Sequence, residues 1–328
     1  MRHGCLIIAL GSPAEPTPRE IRRFLRPFLS DRRVVDFHPA LWAPILHGIV
    51  LPFRPGRIAE QYENVWLPEG SPLTVHTMAQ REHLANELPG VDVRYAMTYT
   101  SPTIPEVLSQ MDVDHLTILP LFPQYAPSTV AAVADQVMAF YQGATTMPHL
   151  TLVSSWERSP TYINWHAEQL RHTLATANVD RIVFSFHGVP KRARHAPQAY
   201  VAQCEATTHA IMARLGDAPF EITYQSKFGP GEWLSPATID RMRALPADGV
   251  RNIAVCTPGF VADCIETSEE LDVLNRNAFE AAGGETYVRV APPNSEPIAG
   301  SMLAEVYRTH ASSAAAATAA SESAAHAG

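Results

Sequence analysis

The sequence has few cysteines, and their spacing excludes several common metal and redox motifs. The four are Cys5, Cys204, Cys256 and Cys264, and no two of them have the spacing of a C-x-x-C pair. This excludes zinc-ribbon and thioredoxin-like sites and gives no support for an iron–sulfur cluster. In a reducing compartment, such isolated cysteines are expected to remain buried thiols.

The chain also lacks the signatures of nucleotide-binding, nucleic-acid-binding and membrane-spanning proteins. It has no G-x-G-x-x-G fingerprint and no Walker lysine, so a nucleotide site is not expected. Its net charge is −8 and its basic residues form no extended cluster, which argues against nucleic acid as a partner. The apolar run near the N-terminus is too short for a secretory leader or a membrane span. We therefore expect a cytoplasmic protein.

What the chain does contain is a recurring unit, a short apolar run that ends at glycine or proline. Its 328 residues are 46% hydrophobic and 18% charged, which suits a globular protein of two domains. The runs that we interpret as buried strands include Cys5–Leu10, Val91–Tyr99, Leu116–Leu119, Ile182–Phe186 and Ile253–Cys256. The breaks after Leu10 and Leu119 resemble those after Phe186 and Cys256. The pattern predicts two related doubly wound α/β halves, residues 1–155 and 156–290.

The first half is longer by about the length of one unusual segment, Val34 to Leu73. This segment mixes aromatic and aliphatic residues with proline and glycine, and it is too interrupted for a transmembrane helix. One interpretation is a pair of helices that pack on the core. The other is an apolar lip over a ligand site, or a surface that rests on a membrane.

The C-terminal residues 311–328 are rich in alanine and serine and contain little that could build a core. We expect a disordered tail there, with a marginal Ala-rich helix as the alternative.

The first candidate catalytic stretch is RIVFSFHGVPKR, from Arg181 to Arg192. His187 stands where a buried strand stops at Gly188 and Pro190. Ligands of open α/β sheets bind outside the carboxyl ends of the strands, and imidazole titrates near neutral pH. On this segment alone, a hydrogen-bonded structural histidine is the favoured interpretation.

The second stretch is CTPGFVADCIETSEELDVLN, from Cys256 to Asn275. Asp263, Glu266 and Glu270 have the spacing i, i+3 and i+7, which predicts three carboxylates on one stripe of a helix. Buried together, they would have raised pKa values and could exchange protons. A solvated acidic face near a helix N-terminus is the alternative.

A third stretch, YQSKFGPGEWLSP, is a strand end followed by a loop that carries Phe228 and Trp233. Aromatic residues on such a loop either form the wall of a flat hydrophobic ligand site or anchor the loop in the core.

Together these stretches resemble the ferrochelatase family, whose members insert ferrous iron into a porphyrin. SFHGVPKR, YQSKFGPGEWLSP and PGFVADCIETSEEL are similar to three of its recognisable blocks, and FLSDRRVVD and LPLFPQY are also similar. The five blocks occur in order between about Leu6 and Tyr307. The resemblance implies the chelatase fold, two Rossmann-like parallel-sheet domains with the active site in the cleft between them. A C-terminal helix, residues 291–310, is expected to pack back on the first domain.

The resemblance also implies roles for individual residues. His187 and Glu266 match the catalytic, metal-binding pair, and Asp263 and Glu270 match acidic positions that line the same cleft. The residues at porphyrin-binding positions are Tyr99, Phe122, Trp233 and Phe260. The 34–73 segment matches the lip at the pocket mouth, which implies a peripheral membrane contact.

The activity implied is the insertion of Fe²⁺ into protoporphyrin IX, both of them substrates, with no tightly bound cofactor and no iron–sulfur cluster. Ala14 follows Gly11-Ser12-Pro13 where coproporphyrin-using relatives tend to have tyrosine, which favours protoporphyrin. The alternatives are a coproporphyrin III ferrochelatase, a sirohydrochlorin chelatase and a non-catalytic porphyrin or haem carrier.

Overall fold

A computed structural model describes the backbone of residues 1–192, 196–227 and 231–325, and the side chains of these residues as far as Ala311. The chain forms two four-stranded parallel sheets with helices around them. The strands of the first sheet are β1 (His3–Ala9), β2 (Val91–Met97), β3 (His115–Pro120) and β4 (His149–Leu152), in the order β2-β1-β3-β4. Buried parallel strands read as continuous apolar runs, and residues 5–9 of β1 are almost fully buried.

The second sheet repeats this arrangement. Its strands are β5 (Arg181–His187), β6 (Phe220–Gln225), β7 (Asn252–Cys256) and β8 (Thr286–Val290), in the order β6-β5-β7-β8. The equivalent order in the two sheets confirms the prediction of two doubly wound parallel halves. Strand β8 was not among the predicted strands, because TYVRV has too few apolar residues for a buried run.

Helices connect the strands and cover the sheets. They are α1 (Pro18–Ser30), α2 (Pro39–Ile45), α3 (Leu51–Val65), α4 (Pro72–Glu87), α5 (Ile104–Leu108), α6 (Ala132–Gln142), α7 (Pro160–Thr176), α8 (Pro197–Leu215), α9 (Thr238–Ala244), α10 (Ile265–Ser268), α11 (Arg276–Ala281) and α12 (Pro297–Ala325). Short π-helical turns cover Leu46–Val50, Pro127–Ala131 and Glu270–Asn275.

The unusual segment after α1 forms a helical layer with two different faces. It contains α2, the turn Leu46–Val50 and α3, and its inner face packs on α1. The residues of its outer face are exposed and recur every four positions: Phe37, Leu41, Ile45, Ile49 and Phe53. The interpretation as helices that pack on the core therefore describes the inner face, and the exposed apolar outer face is the surface to which the second interpretation refers.

The last helix, α12, packs on α4 of the first half. Ser301 Oγ donates to a carboxylate oxygen of Glu87 at 2.8 Å, and Arg308 Nη2 donates to the backbone oxygen of Glu87 at 2.7 Å. Gly300 lies directly against His83. These contacts agree with the position expected for the C-terminal helix.

The backbone of α12 continues to Ala325, through most of the residues for which the sequence analysis expected a disordered tail. The Ala-rich helix was the alternative, and alanine has the highest helix propensity of any residue. The preceding turns are already fixed by packing, so propagation needs no new nucleus. Residues 326–328 of the predicted tail lie outside the described part.

Across the described residues, no helix has the length and apolarity needed to cross a bilayer.

Substitution of two helical glycines by alanine should have opposite effects on stability, because Gly300 lies where α12 closely approaches α4 and Gly56 lies in open space. A Cβ on Gly300 would lie 2.6 Å from the His83 Cβ and 2.7 Å from its carbonyl carbon. Gly300→Ala should therefore destabilise the protein by roughly 1–3 kcal/mol through overpacking. Gly56 in α3 has no such neighbour within 4 Å. Gly56→Ala should stabilise by up to about 1 kcal/mol, as expected for a helix interior. Denaturant midpoints of the two variants check this, and a stabilising Gly300→Ala would contradict the packing.

Candidate active site

The carboxyl ends of both sheets open onto one cavity of about 490 Å³. Loops after β1, β3, β5, β6 and β7 form its floor and walls, and α1 and α3 cover one side. Its volume lies within the roughly 300–1,000 Å³ of small-molecule sites. The cavity therefore occupies the position where ligands of open α/β sheets bind.

His187 is the last residue of β5, and its imidazole lines this cavity. Its Nδ1 lies 2.7 Å from the carbonyl oxygen of Gly188. A carbonyl oxygen only accepts hydrogen bonds, so we assign the proton of the neutral ring to Nδ1 and the lone pair to Nε2. Tyr200 donates its hydroxyl to the His187 carbonyl at 3.0 Å. The ring is thus held as the tautomer in which Nε2 can act as a base.

Gln225, at the end of β6, connects His187 with Glu266. Its backbone oxygen accepts the Gly188 amide at 2.7 Å, and its side-chain Nε2 donates to the backbone oxygen of Glu266 at 2.7 Å. Its Oε1 accepts the Ser185 hydroxyl at 2.7 Å. The Gln225 side chain is only 2% exposed, so it has no water to replace these partners. The structure thus brings His187 and Glu266 to the same cavity through one shared neighbour.

Glu270 also lines the cavity, at the start of the third π-helical turn. Its carboxylate accepts the Ser226 amide at 2.6 Å and the Ser226 hydroxyl at 2.5 Å. Burial raises the pKa of Glu270 above its usual value, and the nearby charge of Glu266 adds to the rise. The Ser226 hydrogen bonds and His187 act in the opposite direction and reduce it. A carboxylate with a raised pKa beside an imidazole is a suitable proton acceptor.

Glu269 is a cavity residue that the sequence analysis did not select. Only 6% of it is exposed, and its Oε2 has no hydrogen-bond partner among the described residues. Burial raises its pKa, an effect that a hydrogen bond from Asn64 on α3 opposes and that Glu60 reinforces. The sequence analysis chose Glu270 instead, although Glu269 is three positions after Glu266, a spacing that places both on one helical face.

The structure does not place Asp263 on that stripe. It precedes α10, and its carboxylate accepts hydrogen bonds from Arg289 at 2.9 Å and from Asn294 at 2.7 Å. Thr267 donates to it at 2.7 Å. Asp263 is not among the residues that line the cavity. The expected helical stripe was wrong at this position, because the helix begins after Asp263 and the ion pair turns the carboxylate away.

Three of the four predicted aromatic wall residues line the cavity: Phe122, Trp233 and Phe260. They follow β3, β6 and β7, so they approach it from both halves. The loop residue Phe228, also a candidate, lies outside the described residues.

Tyr99 lies behind the wall. Its hydroxyl donates to Asp31 at 2.8 Å, and its ring meets that of Phe28 edge to face at 5.2 Å. Phe28 lines the cavity and Tyr99 does not. In this structure Tyr99 supports an aromatic wall residue and is not one itself.

Cys264 and two basic side chains complete the lining. Burial is the main cause of a Cys264 pKa well above its usual value, so the thiol stays protonated. Arg54 and Lys227 are the cationic residues in the described lining. Burial lowers the pKa of Arg54, while Tyr62 and Glu266 act in the opposite direction. The sequence analysis did not select Arg54, because an isolated arginine in an apolar segment carries no motif.

Comparison with known proteins agrees with this geometry. The sequence model of one family, described as Ferrochelatase, matches residues 2–311. The coproporphyrin III ferrochelatase of Enterococcus faecalis is 40% identical over 298 residues, which cover 90% of this chain and 95% of that protein. The ferrochelatase of Sodalis glossinidius is 41% identical over 301 residues, 90% of each chain. That of Yersinia enterocolitica is 40% identical over 94% of this chain and 98% of its own.

Solved structures share the fold at low sequence identity. SirB from Bacillus subtilis with Fe³⁺ aligns with a TM-score of 0.57 and 10% identity, over 95% of this chain and 97% of SirB. CbiX, described as the terminal enzyme of sirohaem biosynthesis in denitrifying bacteria, aligns with a TM-score of 0.54 and 15% identity, over 94% and 99%. These two likenesses concern the fold alone. The family match and the relatives show that this chain belongs to the ferrochelatase family and is a metal chelatase.

Proposed function

We propose that this protein inserts Fe²⁺ into protoporphyrin IX in haem biosynthesis, forming protohaem and releasing two protons. The observation that carries the proposal is the 2.7 Å contact between His187 Nδ1 and the Gly188 oxygen, which leaves Nε2 of this ring as the proton acceptor, in a cavity that Glu266 and Glu270 also line. Metallation removes the two pyrrole N–H protons of a weakly acidic macrocycle, so the reaction needs a base near its centre.

Each step of this reaction has a group in the cavity. His187 Nε2 accepts a pyrrole proton, and Glu266 holds Fe²⁺ or accepts the second proton. Glu270, with its raised pKa, takes the protons onward. One imidazole with carboxylate oxygens binds Fe²⁺ less tightly than thiolates would, and the Cys264 thiol stays protonated, so the metal can be released to the ring.

The polar lining supports a porphyrin with two carboxylate groups. Protoporphyrin IX carries two propionates and coproporphyrin III carries four, and the described lining offers two cationic side chains, Arg54 and Lys227. A propionate beside Arg54 would offset the desolvation that lowers the pKa of this arginine. The E. faecalis relative is named for coproporphyrin, and that substrate is the alternative.

The choice between the two porphyrins is tested by anaerobic assays with Fe²⁺ and each porphyrin. We expect a higher kcat/KM for protoporphyrin IX than for coproporphyrin III. Arg54→Met should lower the kcat/KM for protoporphyrin IX at least about tenfold, because one charge-assisted contact is lost. Arg57→Met is the matched control, because Arg57 is exposed on the same helix and does not line the cavity. A higher kcat/KM for coproporphyrin III would overturn the substrate proposal and leave the family unaffected.

We also propose that the enzyme is cytoplasmic and carries no resident iron–sulfur cluster. The four cysteines are unpaired, as is usual in a reducing compartment. Burial raises the pKa of the Cys5 thiol to about 12 and moves the pKa values of the other three in the same direction. Protonated, separated thiols do not suit cluster ligation, which requires thiolates.

The apolar stripe on the outer face of the lip, from Phe37 to Phe53, supports a peripheral membrane contact. Exposed arginines of α1, among them Arg22 and Arg26, lie on the helix that packs beside it, and they suit an anionic lipid surface.

Sedimentation with vesicles that contain anionic phosphatidylglycerol tests this contact. Leu41→Ser combined with Ile49→Ser should reduce the bound fraction several-fold, because two exposed apolar side chains no longer enter the interface. Neither residue lines the cavity, so activity in solution should not change. Met138→Ser, at an exposed apolar residue of α6, is the control. Equal vesicle binding by the Leu41→Ser, Ile49→Ser double variant, the Met138→Ser control and the parent would contradict the contact.

His187 and Glu266 are expected to be needed for turnover and not for porphyrin binding. His187→Ala and Glu266→Gln should each lower kcat, and loss of a general base typically costs about 10²- to 10⁴-fold. The aromatic wall is unchanged, so the porphyrin Kd should stay close to that of the parent. Initial rate, porphyrin binding and folded fraction are measured on one preparation.

The alternatives give different outcomes in the same experiment. A non-catalytic carrier would bind porphyrin but show no Fe²⁺-dependent haem formation with the parent protein. If His187→Ala keeps more than about a tenth of the parental activity per folded molecule, well short of general-base loss, then His187 is structural and the assigned mechanism is wrong.

A further inference from the structure

Three histidines stand side by side at the edge of the first sheet that faces away from the cavity. His3 opens β1, His115 opens β3 and His149 opens β4. The strand register pairs His3 with His115 and His115 with His149. Residues in register on neighbouring parallel strands point to the same face of the sheet, so the three imidazoles form a row with His115 at its centre.

The rings are in contact with one another. The His3 and His115 ring centres are 5.1 Å apart with nearly parallel planes, and those of His115 and His149 are 5.3 Å apart at 64°. His3 and His149 are exposed and His115 is half-buried, so a solute can reach the row. Imidazole–metal bonds are about 2.0–2.1 Å, so one ion between two rings holds their centres within about 6 Å of each other. The in-plane lone pairs of stacked rings do not converge, so sharing an ion requires the exposed ring of His3 or His149 to rotate about its side-chain torsions toward His115.

The charged groups beside the row leave imidazole as its main donor. Asp114 accepts hydrogen bonds from the Arg2 amide at 2.7 Å and from its guanidinium at 3.1 Å, and Asp112 also pairs with Arg2. In the described residues, no three or more His, Cys, Asp or Glu side chains already converge on one point. The geometry therefore suits an ion bound by His115 and one neighbour, with water in its other positions.

We propose that His3, His115 and His149 form a surface site for a divalent transition metal of the nickel, copper or zinc class. Imidazole ligands suit these ions, and Fe²⁺ binds such sites less tightly. Strand β1 has seven residues, at about 3.3 Å each, so the site lies roughly 20 Å from the catalytic cavity at the other end of the sheet. The bound ion connects β3, through His115, with either β1 or β4. This site does not depend on the proposed porphyrin substrate.

Calorimetric titration with Ni²⁺ tests the site. The protein carries no histidine tag, and His187→Ala with Glu266→Gln provides a background in which the catalytic pair contributes no binding. We expect one site in this background. Adding His115→Asn should weaken it by more than about tenfold, because the shared ligand is lost. His172→Asn, at an exposed histidine of α7, is the matched control and should leave the affinity unchanged.

A second variant tests the same site in case the His115→Asn protein does not fold. His3→Asn combined with His149→Asn changes only exposed side chains, keeps His115, and should weaken Ni²⁺ to the same extent. Ni²⁺ should also raise the apparent melting temperature of the background protein, because a ligand that binds only the folded state stabilises it. It should not raise that of the background protein with His115→Asn added. No Ni²⁺ site in the background, or equal affinity with and without His115, would overturn the proposal.

Discussion

The relative position of His187 and Glu266, the proposed catalytic pair, depends on one buried residue, Gln225, through both its backbone oxygen and its side-chain amide. His187 and Glu266 follow different strands, β5 and β7, so neither fixes the other through its own element. Gln225 on the strand beside β5 accepts from the Gly188 amide and donates to the Glu266 carbonyl. Leaving a buried polar group without its partner costs about 1–3 kcal/mol, so movement of either loop is opposed by this residue. Gly188 is required at the contact, because a Cβ there would lie 2.7 Å from the Gln225 oxygen.

This constraint gives the cavity its chemistry. The Gly188 carbonyl accepts from Nδ1 of His187, and Nε2 is left as a base. On the other side, Glu266, Glu269 and Glu270 all line the cavity, and Glu270 is the first residue of a π-helical turn. Burial raises the pKa values of Glu269 and Glu270. Asp263 contributes differently, since its ion pair with Arg289 and its hydrogen bonds to Asn294 anchor the loop in front of Glu266.

Much of this arrangement could be predicted from the sequence, because buried parallel strands are apolar runs that end in glycine or proline. That pattern located β5 and β7 and placed His187 at a strand end. What failed was local geometry that residue spacing does not contain. The predicted helical stripe included Asp263, because the start of the helix at Ile265 is not visible in a count of positions. It left out Glu269, although the i+3 spacing of Glu269 from Glu266 fits the same helical face. Tyr99 was assigned to the wall by the family resemblance, but Phe28 of α1 lies between it and the cavity.

The central claim is that His187 enters the reaction as a neutral base with its lone pair on Nε2. Nitrogen-15 NMR of histidine-labelled protein, with the His187 signals assigned by their loss in His187→Ala, measures which ring nitrogen carries the proton. At a pH where the ring is neutral, the account predicts a protonated Nδ1 and an unprotonated Nε2, as the 2.7 Å contact with the Gly188 oxygen requires. A protonated Nε2 would contradict it, because that nitrogen could not then accept a proton.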